Sequence, residues 1–367
     1  MTNNTSLLFS PLRIRGVELP NRIAMSPMSM YSCKDGLATE WHIVHLGSRA
    51  IGGAGLIMAE CTAISPDGRI GPGDLGLWSD AHVEALKPVT AFISEQGSVP
   101  AIQISHAGRK GGRYIPWISR APIPEAEWGH LIAPSALAFE EGWQVPRAVS
   151  EDEITQLIKL FASAAERAVE AGFRVVEIHA AHGYLLHQFL SPISNKRSDG
   201  YGGSLEARAR FPREVVRAVR ASIPQNIPVF VRLSMRDWLD GGISPEDAVR
   251  TAALLAKDGV DLIDCSSGAI APGESINLSP GYHAAYSSLV RAGADLKTGV
   301  VGLITEAEQA EAILQDGAAD LIIIGRKLLR EPYWPRRAAD ALREQNANVI
   351  PVQYARSVSV PGKLTQW

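Results

Sequence analysis

Cysteine is scarce in this chain of 367 residues: Cys33, Cys61 and Cys265 are the only three, widely separated and without a CxxC pair. That excludes a disulfide framework and a cysteine-ligated iron–sulfur cluster, and it suits a reducing cytoplasm. Charge of one sign is missing too. The formal net charge is −3 and no lysine/arginine block stands out, so nothing offers a polyanion a footprint and nucleic acid is excluded as partner. No apolar run approaches the roughly 18 residues of a membrane span, and the start, MTNNTSLLFSPLRIRG, lacks the basic and apolar regions of an export signal. Both common nucleotide fingerprints are absent: no GxGxxG follows a strand with an acidic residue downstream, and there is no GxxxxGK[ST]. A dedicated Rossmann domain and a P-loop are therefore not expected. With 46% hydrophobic and 20% charged residues, what remains is an ordinary globular balance able to bury a large core around a small-molecule site.

Short β-rich runs recur through the chain: RIAMSPM (22–28), GLIMAEC (55–61), PAIQISH (100–106), RVVEIHA (174–180), PVFVRLS (228–234), DLIDCSS (261–267), GVVGLIT (299–305) and DLIIIGR (320–326). They lack strict polar/apolar alternation, so they read as parallel strands covered on both faces. Helical patterns fill the gaps. In SEDEITQLIKLFASAAERAVEAGF, Ile154, Leu157, Ile158, Phe161, Ala165 and Ala168 share one face, Ser150 with Glu153 makes a capping box, and Gly172 is the stop. Thr305 with Glu308 repeats the capping signature, and Ser244 followed by Pro245 opens another helix.

Eight alternating βα units predict an α/β fold, a single (β/α)8 barrel spanning 1–367; a doubly wound sheet is the alternative. After the third strand, residues of about 107–147, rich in glycine, proline and tryptophan, are too long for a routine connection and are expected to form a lid on the substrate side. A C-terminal tail of about 345–367 follows the last unit.

In such a barrel the carboxyl ends of the strands line the site. Strand one ends in Ser26-Pro27-Met28-Ser29, strand three carries Gln103 and His106, strand four His179 and His182, and strand five Arg232. Gly302 after strand seven, with Gly325 and Arg326 after strand eight, outlines a phosphate cradle. This favours a phosphate-bearing prosthetic group. No strand run contains the lysine that a Schiff-base aldolase needs. The stretch EIHAAHGY places His179, His182 and Tyr184 within six residues. A zinc reading, with His42 and His45 as further ligands, also needs a carboxylate base and an open coordination position, and no metal is expected. The other reading is a clamp: two imidazole N–H donors hold an oxygen on which negative charge develops, beside a phenol able to give a proton.

From NRIAMSPM through GRIGPGDLGLWSD, IQISHAGRK, EIHAAHGYLLHQFLSPISNKRSDGYGGS and GVDLIDCSSG to ADLIIIGRKLLREP and PVQYAR, the chain resembles the old yellow enzyme family of flavin-dependent ene-reductases. Within that family it resembles the thermophilic-like and xenobiotic reductase subgroup. The resemblance implies an FMN-binding barrel that takes hydride from NADPH or NADH and passes it to the β-carbon of an activated alkene. It implies that His179 and His182 bind the substrate's activating oxygen, that Tyr184 is the proton donor and that Tyr31 is a second phenol against substrate. Ser26, Pro27, Met28, Ser29 and Cys61 would line the flavin, Gln103 would bond its pyrimidine edge, Arg232 would stand near N1, and Gly302, Gly325 and Arg326 would hold its phosphate. Arg356 matches an arginine that reaches into a neighbouring subunit, implying a homo-oligomer, dimer or tetramer. Ser29 replaces a cysteine frequent in the subgroup, which bears on the flavin potential, and the loop holding Trp117 and Trp128 is longer than in shorter relatives. Other readings on the same scaffold are nitrate-ester or nitroaromatic reduction, amine oxidation, and a flavin-binding sensor without turnover.

Overall fold

Strands buried on both faces pair edge to edge until none is left open, and in this computed structural model, which describes residues 6–344, 347 and 349–357, eight of them do so. They are β1 (Ile23–Met25), β2 (Leu56–Ala63), β3 (Val99–Ser105), β4 (Val175–Ala180), β5 (Val229–Ser234), β6 (Leu262–Ser266), β7 (Lys297–Val300) and β8 (Leu321–Ile324). Every neighbouring pair is parallel, and β8 pairs with β1 at Ile322↔Ile23, closing the barrel. The expected (β/α)8 barrel is thus the fold.

Outside it lie α1 (Glu40–Ile51), α2 (Asp80–Glu95), α3 (Glu151–Glu170), α4 (Leu205–Ser222), α5 (Pro245–Lys257), α6 (Ala284–Ala294), α7 (Ala307–Gln315) and α8 (Trp334–Ala341), one after each strand. The helix α3 follows its sequence pattern closely: Ile154, Leu157, Phe161, Ala165 and Ala168 are buried against the strands. Ser150 and Glu153 form the capping box, and Gly172 takes φ +96° just past the end. At α5, Ser244 Oγ accepts the Asp247 N–H, as its position before Pro245 predicts.

Two expectations shift. The seventh run was placed at 299–305, but β7 is Lys297–Val300. Gly302 at φ +129° and Leu303 at φ +51° turn the chain out of the sheet, and Val301–Thr305 become the wall of a cleft. The capping box expected at Thr305 does not form: the N-cap of α7 is Glu306, and Gln309 Oε1 accepts the Thr305 N–H at 3.1 Å. The Trp334 indole N–H holds the Thr305 carbonyl at 2.7 Å, tying this loop to α8 instead.

The amino-terminal end of the barrel is plugged by an antiparallel hairpin, Leu12–Ile14 with Val17–Leu19. Its Leu12, Ile14, Val17 and Leu19 pack on the barrel's inward residues Ala24, Leu56, Met58, Ala101, Val175, Phe230, Leu262, Leu321 and Ile323. At the opposite end the long insertion is anchored onto the mouth. Arg109 donates to the carbonyls of Leu137, Ala138 and Ile270, and Arg197 to those of Pro134 and Val149. Among the described residues no helix is long and apolar enough to cross a membrane.

Candidate active site

Above the apolar floor, the alternation of each strand brings a polar layer inward. Gln103 donates to Glu177 Oε1 at 2.8 Å, and Arg232 donates to Asp264 Oδ2 at 2.5 Å and to Ser26 Oγ at 2.9 Å. Burial works against the Arg232 charge, but Asp264 and Glu177 outweigh it and raise its pKa further. Burial, with Asp264 beside it, raises the Glu177 carboxyl. Glu177 Oε2 and Asp264 Oδ1 have no protein partner. A buried acceptor left unpaired is costly, and the raised Glu177 carboxyl relieves that cost by holding its proton.

β4 ends in a turn that departs from ordinary geometry. His182 has φ +58° and Gly183 φ +74°. The strain is held by a buried frame: Gly183 N–H donates to His187 Nδ1 at 2.8 Å, His187 Nε2 bonds Asp237 at 2.9 Å, and Lys110 Nζ donates to the His182 carbonyl at 2.8 Å. The result aims His179 and His182 at each other edge to face, ring centroids 5.1 Å apart, with Tyr184 4.9 Å from His179.

The proton positions follow from the partners. His179 Nδ1 accepts the Ala181 N–H at 3.3 Å, so its proton is on Nε2. His182 Nε2 lies 2.6 Å from Ser266 Oγ. Burial lowers both imidazole pKa values well below the usual range, helped by Arg232 and Lys110, so both rings are neutral donors. Burial, with Cys61 and Tyr31 nearby, keeps the Tyr184 phenol protonated well above its ordinary range. Tyr31, at φ +50°, is pushed up to about 12 by burial and by Asp74.

A cleft of about 340 Å³ runs from His182 to the ends of β7 and β8. Ser26, Met28, His182, Arg232, Gly302, Gly325 and Arg326 all line it, as expected. Gly302 needs its glycine: besides its φ of +129°, a Cβ would come within 2.8 Å of the Tyr282 ring. At Gly325 a Cβ would meet only Met28 Sδ at 3.5 Å and Ser26 Cβ at 3.7 Å, so a side chain there would project into the cleft.

Of the other expected residues, His179 joins through its contact with His182, and Gln103 lies in the polar layer. Cys61 is buried in a small apolar cluster with Ile70 and Ala107, against which Tyr184 packs. Pro27 is buried and Ser29 half-buried. Tyr31 stands edge-on to the insertion's Trp117 at 5.9 Å. The structure does not bring His42 and His45 to this pair: both are buried in α1, and His42 bonds Glu60 instead. The side chain of Arg356 lies outside the described residues.

Sequence reading missed Glu177, Asp264, Ser266, Lys110 and the cleft's further cations Lys327 and Arg330. Glu177 was within reach, since strand parity puts it on the same face as His179. The donor set fits FMN. Arg326, Lys327 and Arg330 match a phosphate at one end, Met28, Val301 and Ile323 give an apolar middle, and Arg232 with Ser26 and Ser266 meets a polar ring edge at the other.

Residues 7–345 match the model of the NADH:flavin oxidoreductase / NADH oxidase family. The chain belongs to that family. A NADPH dehydrogenase of Bacillus subtilis is 48% identical over 351 residues, covering 95% of this chain and 98% of the relative. The solved structure of a morphinone reductase superposes with a TM-score of 0.78 at 30% identity, covering 93% of this chain and 91% of that one. An old yellow enzyme homologue from Zymomonas mobilis gives 0.77 at 29% identity, covering 94% and 96%. This member of the old yellow enzyme family is therefore an NADPH oxidoreductase with FMN as cofactor and NAD(P)H as hydride donor.

Proposed function

We propose that the chain is an ene-reductase, acting on the activated C=C bond of an enone, enal, maleimide or nitroalkene. Bound FMN would supply the redox chemistry that links NAD(P)H to the alkene. The chain's own residues do the rest. His179 through Nε2–H and His182 through Nδ1–H donate to the activating oxygen and stabilise the charge that grows there. Tyr184 keeps its proton at neutral pH and gives it to the α-carbon. Tyr31 contacts substrate from the opposite segment, and Arg232 places a fixed positive charge beside the flavin ring. Ser26, Pro27, Met28, Ser29, Cys61 and Gln103 would surround that ring, and Gly302, Gly325 and Arg326 would hold the phosphate. The whole chain acts as one FMN-binding unit in the cytoplasm, and Arg356 completes the site of a second copy.

The observation carrying this reading is the neutral His179–His182 pair with Tyr184 against it, at the mouth of a cleft with a cationic end. The test is an anaerobic visible spectrum taken before NADPH, after NADPH, and after 2-cyclohexenone. The flavin band is expected to bleach and then return as saturated ketone forms; a bleached band that enone does not restore would overturn the acceptor assignment. His179→Ala and His182→Ala should each keep the flavin and lower kcat/KM for the enone by about 10²–10³-fold, as loss of an oxyanion donor does.

A further inference from the structure

The strand β2 is out of step with β3 at one place. Ala59 pairs with Ile102 and Cys61 with Gln103, leaving Glu60 as an extra residue in a bulge. Bulges re-aim side chains, and this one sends a carboxylate toward α1. Glu60 Oε1 lies 3.2 Å from His42 Nε2, and His42 Nε2 lies 3.3 Å from Cys33 Sγ. These ligand atoms of Cys33, His42 and Glu60 all fall within 4.8 Å of one another. His42 and Glu60 are almost fully buried, while Cys33 is half-buried and gives the cluster its opening.

As a hydrogen-bond cluster the arrangement has one imidazole N–H facing both a carboxylate and a thiol. As a cation site it is well formed. At ordinary zinc bond lengths a tetrahedron separates its donor atoms by roughly 3.4–3.6 Å, close to the two separations observed. The supporting contacts are those a ligand set needs. Glu60 Oε2 is fixed by the Met30 N–H at 2.9 Å; His42 Nδ1 accepts the Thr39 N–H at 3.0 Å, so a metal on Nε2 requires the ring proton to move to Nδ1, where the Thr39 carbonyl at 3.3 Å would take it. Burial, with Glu60 and Asp74 nearby, raises the Cys33 thiol, so only a bound cation would make it a thiolate.

We propose that Cys33, His42 and Glu60 form a binding site for a thiolate-tolerant divalent cation, zinc by its donor set, separate from the flavin cleft. The sequence reading expected no metal, and His42 was considered only together with His179. On binding, the Cys33 S–H bond breaks, its proton goes to solvent, and the thiolate, imidazole and carboxylate each form one bond to the cation with no change of oxidation state. Tyr31 sits between Met30, which is bonded to one ligand, and Cys33, which is another. Occupancy therefore fastens both ends of the segment that presents this phenol.

The test uses chelator-treated, FMN-loaded protein titrated with Zn²⁺ by calorimetry in two buffers of different ionisation enthalpy. One equivalent should bind with proton release, and Cys33→Ser should weaken it by at least about tenfold while keeping its flavin. Co²⁺ should produce a thiolate charge-transfer band in the wild type, which needs no variant to fold. Zn²⁺ should also slow alkylation located at Cys33. No saturable binding, equal affinity in Cys33→Ser, a cobalt spectrum without thiolate character, or alkylation indifferent to Zn²⁺ would each overturn the proposal.

Discussion

The hydroxyl of Ser266 bears on which nitrogen of His182 carries the proton. For His182 to donate to a substrate oxygen through Nδ1, its Nε2 must accept, and the Ser266 hydroxyl 2.6 Å away is placed to donate to it. In ¹⁵N spectra of the imidazoles, His182 is expected as the Nδ1–H tautomer. Ser266→Ala should move it toward Nε2–H, while His179, held by the Ala181 N–H, stays as it is; an unmoved His182 would refute the assignment. Because burial lowers both pKa values well below the imidazole range, their charged forms arise only in acid. Affinity for a neutral oxygen ligand should therefore show no histidine limb near the ordinary value of about 6.5. Tyr184→Phe should leave bleaching by NADPH intact and slow the enone step; full turnover would remove Tyr184 from the mechanism. These residues were legible because chemistry and spacing coincide in EIHAAHGY. Ser266 was not, since a serine after an apolar run has no distinguishing pattern until the barrel brings β6 beside β4's end.

At the scale of elements, the capping box of α3 permits a direct estimate. Ser150→Ala should cost about 1 kcal/mol in chemical denaturation, as loss of an N-cap does. Glu153 is held down at about 2, first by Arg147 and then by the Ser150 backbone. A depressed carboxylate stabilises above its unfolded pKa, and that contribution fades as pH falls from about 4.3 toward 2. The pair is exposed, so the effect should be small and should shrink further in salt. Glu153→Gln should flatten that part of the stability–pH curve. Elements whose caps and faces are satisfied locally, such as α3 and α5, could be read from sequence. β7 could not be bounded, because apolar residues continue beyond Val300 for a different purpose: Val301–Thr305 line a cleft. The α7 cap failed for a related reason, since Trp334 of a distant helix claims the Thr305 carbonyl. The hairpin plug was missed, although Leu12, Ile14, Val17 and Leu19 alternate with Arg13 and Glu18 around Gly16, because three-residue strands are too short for the pattern to stand out.

At the scale of the molecule, α1 and the segment beyond β8 both expose large apolar groups. Trp41 and Val44 of α1 are 50% and 69% exposed, and Leu329 and Tyr333, just beyond β8, are 36% and 41% exposed. These segments are locked together, because Arg49 of α1 donates to the carbonyls of Leu328 and Leu329. Large exposed apolar groups held on one rigid face mark an interaction surface, and the proposed homo-oligomer supplies the occupant. Trp41→Glu should lower the sedimentation coefficient toward that of a monomer while the flavin stays bound. If Arg356 reaches a second copy's site, the same variant must also disconnect it. The KM for enone should then rise in Trp41→Glu as it does in Arg356→Ala, and the double variant should show no further increase. Additive effects would separate Arg356 from assembly. A Trp41→Glu protein that sediments as the wild type would place the subunit contact on another face of the barrel.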